Sequence, residues 1–86
     1  PEWFDKKIDE LTERYSGRLV TQALKIARGF LAEKDIATIE RLITIIQRYS
    51  YAKVDNIVRE ELEPLFPEDK NKTVDFLERL LQKKFP

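Results

Sequence analysis

Apolar residues recur at spacings of three and four almost from end to end of this chain, and that periodicity constrains it to packed α-helices. Phe4, Ile8, Leu11 and Tyr15 form a first stripe. Val20, Ala23, Leu24, Ala27, Phe30 and Leu31 form a second, widened by Leu19 and Ile26, so this helix is expected to be buried on more than one side. Ile36, Ile39, Leu42, Ile43, Ile46 and Tyr49 form a third, widened by Ile45. A fourth runs through Tyr51, Val54, Ile57, Val58, Leu62 and Leu65, and a fifth through Val74, Leu77, Leu80, Leu81 and Phe85. No alternation of period two competes with this pattern.

The boundaries carry matching chemistry. Ser16, Asp35 and Ser50 stand where a side-chain oxygen can accept from an orphan backbone N–H, and so are expected to cap helices two, three and four. Pro64 lacks an N–H and crowds the preceding turn, so it should end or kink helix four. Pro67, Glu68 and Asp69 suit a helix start. Lys83 and Lys84 complement the negative end of the last helix. The expected helices are therefore at about 2–15, 17–33, 36–49, 51–64 and 68–84. With 86 residues the chain is one domain, 1–86. The expected fold class is all-α, a compact bundle of about five antiparallel helices.

A second architecture shares these helices. Arg-Tyr-Ser occurs at 14–16 and again at 48–50, 34 residues apart. At the same offset Ile8 meets Leu42, Leu11 meets Ile45, Val20 meets Val54, Leu24 meets Val58 and Leu31 meets Leu65. This would make a short helical-hairpin solenoid of two and a half units, each burying its face against a neighbour.

The chain has no Cys, His or Met, and its only glycines are Gly17 and Gly29. Disulfides, thiolate nucleophiles, Cys- or His-ligated metal centres, and Ser-His or Cys-His catalytic pairs are thereby excluded. Gly-rich phosphate loops and the EF-hand loop are absent. No catalytic residue, cofactor or metal site is expected, and the chain is read as non-enzymatic. Glu60, Glu61 and Glu63, with Glu68 and Asp69, form an acidic cluster. Only Glu60 and Glu63 converge on a helix, and a solvated acidic face accounts for them. No apolar run approaches the ~20 residues of a membrane span. The chain reads as soluble, cytoplasmic if natural, with no leader in Pro1-Glu2-Trp3.

Net charge is zero, but it is segregated: −3 over residues 1–13, +5 over 14–53, −5 over 54–78 and +3 over 79–84. Arg41 and Arg48 share a face of helix three, and Arg18, Lys25 and Arg28 lie near one another on helix two. Helix three, the Ser50 corner and helix four loosely resemble a helix-turn-helix, which would make 14–53 a nucleic-acid surface. Asp55 and Glu60 in the recognition position would repel phosphate, and basic helices two and three facing acidic helices one and four would explain the same charges. Trp3 is expected in the core under helix five, or else exposed as a partner anchor. Tyr49 and Tyr51 cannot both point inward.

The candidate partner-binding residues are thus Trp3, Arg18, Lys25, Arg28, Arg41, Arg48 and Tyr51. The leading expectation is a non-enzymatic helical scaffold, engineered and thermostable, that needs no partner. The alternatives are a protein-interaction module or homo-oligomer holding a partner helix beside helices two and three, and nucleic-acid binding through 14–53. A thermophile's module would share the missing Cys and Met, and Gly29 and Pro64 look evolved rather than chosen.

Overall fold

A computed structural model describes residues 1–50, 54–65 and 70–85 of the chain, apart from the side chains of Leu65 and Lys70. Helix α1 runs Glu2–Arg14, α2 Arg18–Ala32, α3 Ile36–Tyr49 and α5 Lys70–Lys84. Between α3 and α5 the fourth segment, α4, begins as α-helix over Asp55–Ile57. It widens into a π turn at Val58–Leu62 and tightens into a 3-10 turn at Glu63–Leu65. No strand occurs among the described residues. The expected start of helix five at Pro67-Glu68-Asp69, and Tyr51, lie outside them.

Pro64 accounts for the change of winding in α4. It donates no hydrogen bond, and its ring would clash with the carbonyl four residues back, so an α ladder cannot run through it. The Glu63 N–H reaches back five residues to the Val58 carbonyl, and the chain then closes in a 3-10 turn. Val54, Val58 and Leu62 nevertheless stay fully buried, four residues apart on one face.

The core matches the predicted stripes closely. Leu19, Val20, Ala23, Leu24, Ile26, Ala27 and Phe30 of α2 are all buried, so α2 is indeed enclosed on more than one side. Ile39, Leu42, Ile45, Ile46 and Tyr49 do the same for α3. From α1 only Phe4 and Leu11 are fully buried, with Ile8 and Tyr15 half-buried. Val74, Leu77 and Leu81 bury α5, Leu80 and Phe85 are half-buried, and Phe76 is exposed. In space α2 packs on α3 and on the π turn of α4, and α5 packs on α3 and on that same turn. The Cα radius of gyration is 12.0 Å. A fully compact chain of this length is expected near 12 Å, so the helices form a compact bundle.

Burial can be compared at the 34-residue offset of Arg-Tyr-Ser. The 34-residue offset joins buried pairs at Leu11/Ile45, Val20/Val54 and Leu24/Val58. It carries Leu42 onto exposed Phe76 and Ala27 onto exposed Glu61. An offset of 35 joins more of the core: Phe4/Ile39/Val74, Leu11/Ile46/Leu81, Leu42/Leu77, Leu19/Val54, Ala23/Val58 and Ala27/Leu62.

Two helix junctions are specified by hydrogen bonds. At the end of α2 the Asp35 N–H bonds the Phe30 carbonyl and the Lys34 N–H bonds the Leu31 carbonyl, each at 3.0 Å, with Lys34 at φ 60°. This is a Schellman closure with lysine in the left-handed position. Asp35 then caps α3, as expected: its carboxylate accepts the Thr38 N–H at 3.1 Å and the Thr38 hydroxyl at 2.7 Å. Ser16 does not cap α2. The N-cap is Gly17 at φ 109°, and the capping oxygen comes from Asp55 on α4. Ser50 ends α3, and its hydroxyl oxygen is buried with no hydrogen-bond partner among the described residues.

Candidate functional site

The basic residues of α2 and α3 divide into two groups. Arg18 and Arg41 are engaged between helices. The Arg18 guanidinium donates to Glu63 at 2.6 Å, and its backbone N–H donates to the Asp55 carboxylate at 3.1 Å. The start of α2 is thereby bound to α4 at both of its ends. Arg41 forks onto two carboxylates of α5, Asp75 at 3.0 Å and Glu78 at 3.2 Å. Hydrogen bonds to Glu78 first, and to Asp75 second, hold the Arg41 guanidinium above its ordinary pKa. Lys25, Arg28 and Arg48 form the second group; they are exposed and make no ion pair among the described residues.

Part of the segregation of charge along the sequence is therefore a record of helix pairing. Basic α2 faces acidic α4, and basic α3 faces the acidic side of α5. One member of the acidic cluster, Glu63, is drawn into the same pairing, while Glu60 pairs only within α4. Glu63 holds Arg18, and Glu60 lies 3.6 Å from Arg59 beside it. Glu68 and Asp69 lie outside the described residues, and among those described no group of acids is arranged to hold a metal ion.

Trp3 does not sit in the core. Its side chain is 45% exposed and meets the buried Phe4 ring edge to face, with centroids 5.8 Å apart at 87°. The Arg28 guanidinium lies 5.6 Å from the Phe4 ring centre, within range of a cation–π contact. Trp3 and Arg28 thus both contact Phe4, one from α1 and one from α2. Sequence periodicity placed Phe4 inward but could not set the tilt of the first turn, which leaves Trp3 outside.

The groove expected beside α2 and α3 exists, and α1 fills it. Phe4, Ile8 and Leu11 lie against Leu24, Ala27, Leu42, Ile43 and Ile46, with no space for a water molecule between them. Beyond the C-terminal half of α1 a polar cleft of about 330 Å³ is bordered by Lys7, Glu10, Glu13, Arg14 and Gln47. Two cations, two anions and an amide give this cleft no net sign with which to select a ligand. No helix among the described residues is long and apolar enough to cross a membrane.

Sequence reasoning missed Asp55, Asp75 and Glu78 as structural partners. The pairings span 34 to 45 residues and leave no local signature. Only the alternation of charge blocks hinted at them. No family model, curated protein or solved structure matches the chain.

Proposed function

We propose that the chain is a non-enzymatic helical module whose role is carried by its fold. The observation behind this reading is the use made of Arg18 and Arg41. Both sit in the most basic part of the sequence, and both are committed to carboxylates of other helices in the same chain. Residues that would otherwise mark a surface for acidic partners act here as ties. On origin, two positions favour an evolved module over the engineered scaffold expected from composition. Lys34 occupies a left-handed site that idealised design gives to glycine, and Gly29 lies inside α2.

The test is the unfolding of the chain alone. A self-sufficient module gives one cooperative transition whose midpoint is unchanged between about 1 and 10 µM. A midpoint that climbs with concentration in that range, or no cooperative transition, would overturn the reading.

A protein-interaction role is the second reading, favoured by the exposed Trp3 and Arg28, both of which contact Phe4. Trp and Arg are the side chains that most often anchor interfaces. Trp3→Ser distinguishes an anchor from a packing residue. An anchor leaves the unfolding midpoint within about 2 °C of the parent, whereas a core residue lowers it by about 4–8 °C per kcal/mol lost.

A further inference from the structure

Helix α1 is attached differently from the rest of the bundle. Polar contacts tie α2 to α4 through Arg18, Glu63 and Asp55, and α3 to α5 through Arg41, Asp75 and Glu78. Among the described residues no hydrogen bond or ion pair joins α1 to another helix, and its one ion pair, Lys7–Glu10, is internal. What holds α1 is the seating of Phe4, Ile8 and Leu11 in the α2–α3 groove, with Arg28 over the Phe4 ring. Segments held by few buried contacts open before the global transition.

The link to α2 suits such opening. Tyr15 is already extended (φ −126°, ψ 143°), Ser16 follows, and Gly17 has φ 109° and ψ 179°. Three non-helical residues reach about 10 Å, and glycine can rotate to other backbone conformations at little cost. The groove that opening exposes is apolar, and at its edge stands the Arg28 guanidinium of α2, which lies over the ring of the seated Phe4. The occupant that matches it is an apolar-striped acidic helix. Helix α1 is such a helix, with five acids against three basic residues, and every copy of the chain supplies one.

We propose that α1 exchanges between two copies of the chain, giving a domain-swapped dimer in which each α1 fills the groove of the other copy. The contacts made are the same in the closed monomer and in the swapped dimer. The balance is therefore set by the hinge and by protein concentration. This inference does not depend on the role proposed above, because the closed monomer prevails at low concentration.

The chain has no cysteine, so a pair can be introduced cleanly. Ile8→Cys with Ile43→Cys places one thiol on α1 and one in the groove that α1 fills. The variant is warmed close to its midpoint at concentrations up to about 1 mM, cooled and oxidised. Exchange predicts disulfides between chains, with the ratio of dimer to monomer rising in proportion to concentration while monomer predominates. The unsubstituted chain treated in the same way should show a folded dimer by light scattering. Deletion of Ser16, which shortens the hinge, should raise its dimer share several-fold at unchanged helix content. Disulfides only within chains at every concentration, or an unsubstituted chain that stays monomeric after annealing, would overturn the proposal.

Discussion

Asp55 on α4 accepts the backbone N–H of Arg18 at 3.1 Å, so one helix caps another across 37 residues of sequence. The first N–H groups of a helix have no partner within it, and a buried or half-buried one must find an oxygen elsewhere. Gly17 makes the approach feasible. A Cβ at that position would lie 2.7 Å from the Asp55 carboxylate oxygen, and φ 109° is a conformation that side chains resist. Gly17→Ala should therefore cost about 1–3 kcal/mol, because it adds backbone strain and displaces the cap. Asp55→Ala should cost about 1 kcal/mol. Urea unfolding of the two single variants and the double checks this. The double variant should lose less than the sum of the singles, since the clash vanishes with the carboxylate.

Arg41 closes a second long-range tie, again through a guanidinium that is substantially exposed. Ion pairs at this level of exposure contribute roughly 0.2–1 kcal/mol each and are screened by salt. Arg41→Ala is expected to destabilise the chain modestly in dilute buffer and by a smaller amount in about 1 M salt. Arg41→Lys should behave more like the alanine variant than like the parent, because an ammonium cannot reproduce the fork onto Asp75 and Glu78. Denaturant midpoints at the two ionic strengths measure both effects.

The Asp35 cap gives the fold a signature in acid. The Thr38 hydroxyl first, and the Thr38 N–H second, hold the Asp35 carboxyl below its ordinary pKa of 3.8. A depressed folded-state value means that the unfolded chain takes up the proton first as pH falls. The contribution is complete above the unfolded value and is lost as pH drops through the folded one. Asp35→Asn keeps a capping oxygen and removes the titration. The stability gap between parent and variant should stay constant at neutral pH and narrow as pH falls below about 4. Unfolding free energies measured from neutral pH into acid follow it.

Lys34 occupies the left-handed position of the Schellman closure at φ 60°. An L-residue there carries a steric cost of about 1–2 kcal/mol that glycine avoids, while glycine loses more entropy on folding. Lys34→Gly should leave a net gain of about 0.5–1 kcal/mol. Thermal unfolding would show it as a raised midpoint, and an unchanged or lowered midpoint would mean that the strain is relieved in solution.

Much of the architecture was legible in the sequence because helical burial leaves a local trace. Leu19, Ile26 and Ile45 widened their stripes, and all three are buried. Asp35 was readable as a cap because its acceptor role is fulfilled three residues away. Ser16 was misread for the complementary reason: a local cap was expected where the fold supplies Asp55 from another helix. The Arg-Tyr-Ser offset of 34 is not the one at which burial matches best, since more buried positions coincide at 35. Of the candidate site residues, Arg18 and Arg41 pair with acids 34 to 45 residues distant, which no local pattern signals. Trp3 lay beyond periodicity, because both of its expected placements fit the same spacing.

Amide hydrogen exchange at Arg18 tests most directly whether the charges of this chain serve its fold. An N–H in the first turn of a helix exchanges fast unless something outside the helix accepts it. Protection of the Arg18 amide in the parent, lost in Asp55→Ala while the core amides of α3 stay protected, is the predicted result. An Arg18 amide that exchanges at the rate of an unstructured peptide, unaltered by Asp55→Ala, would contradict it.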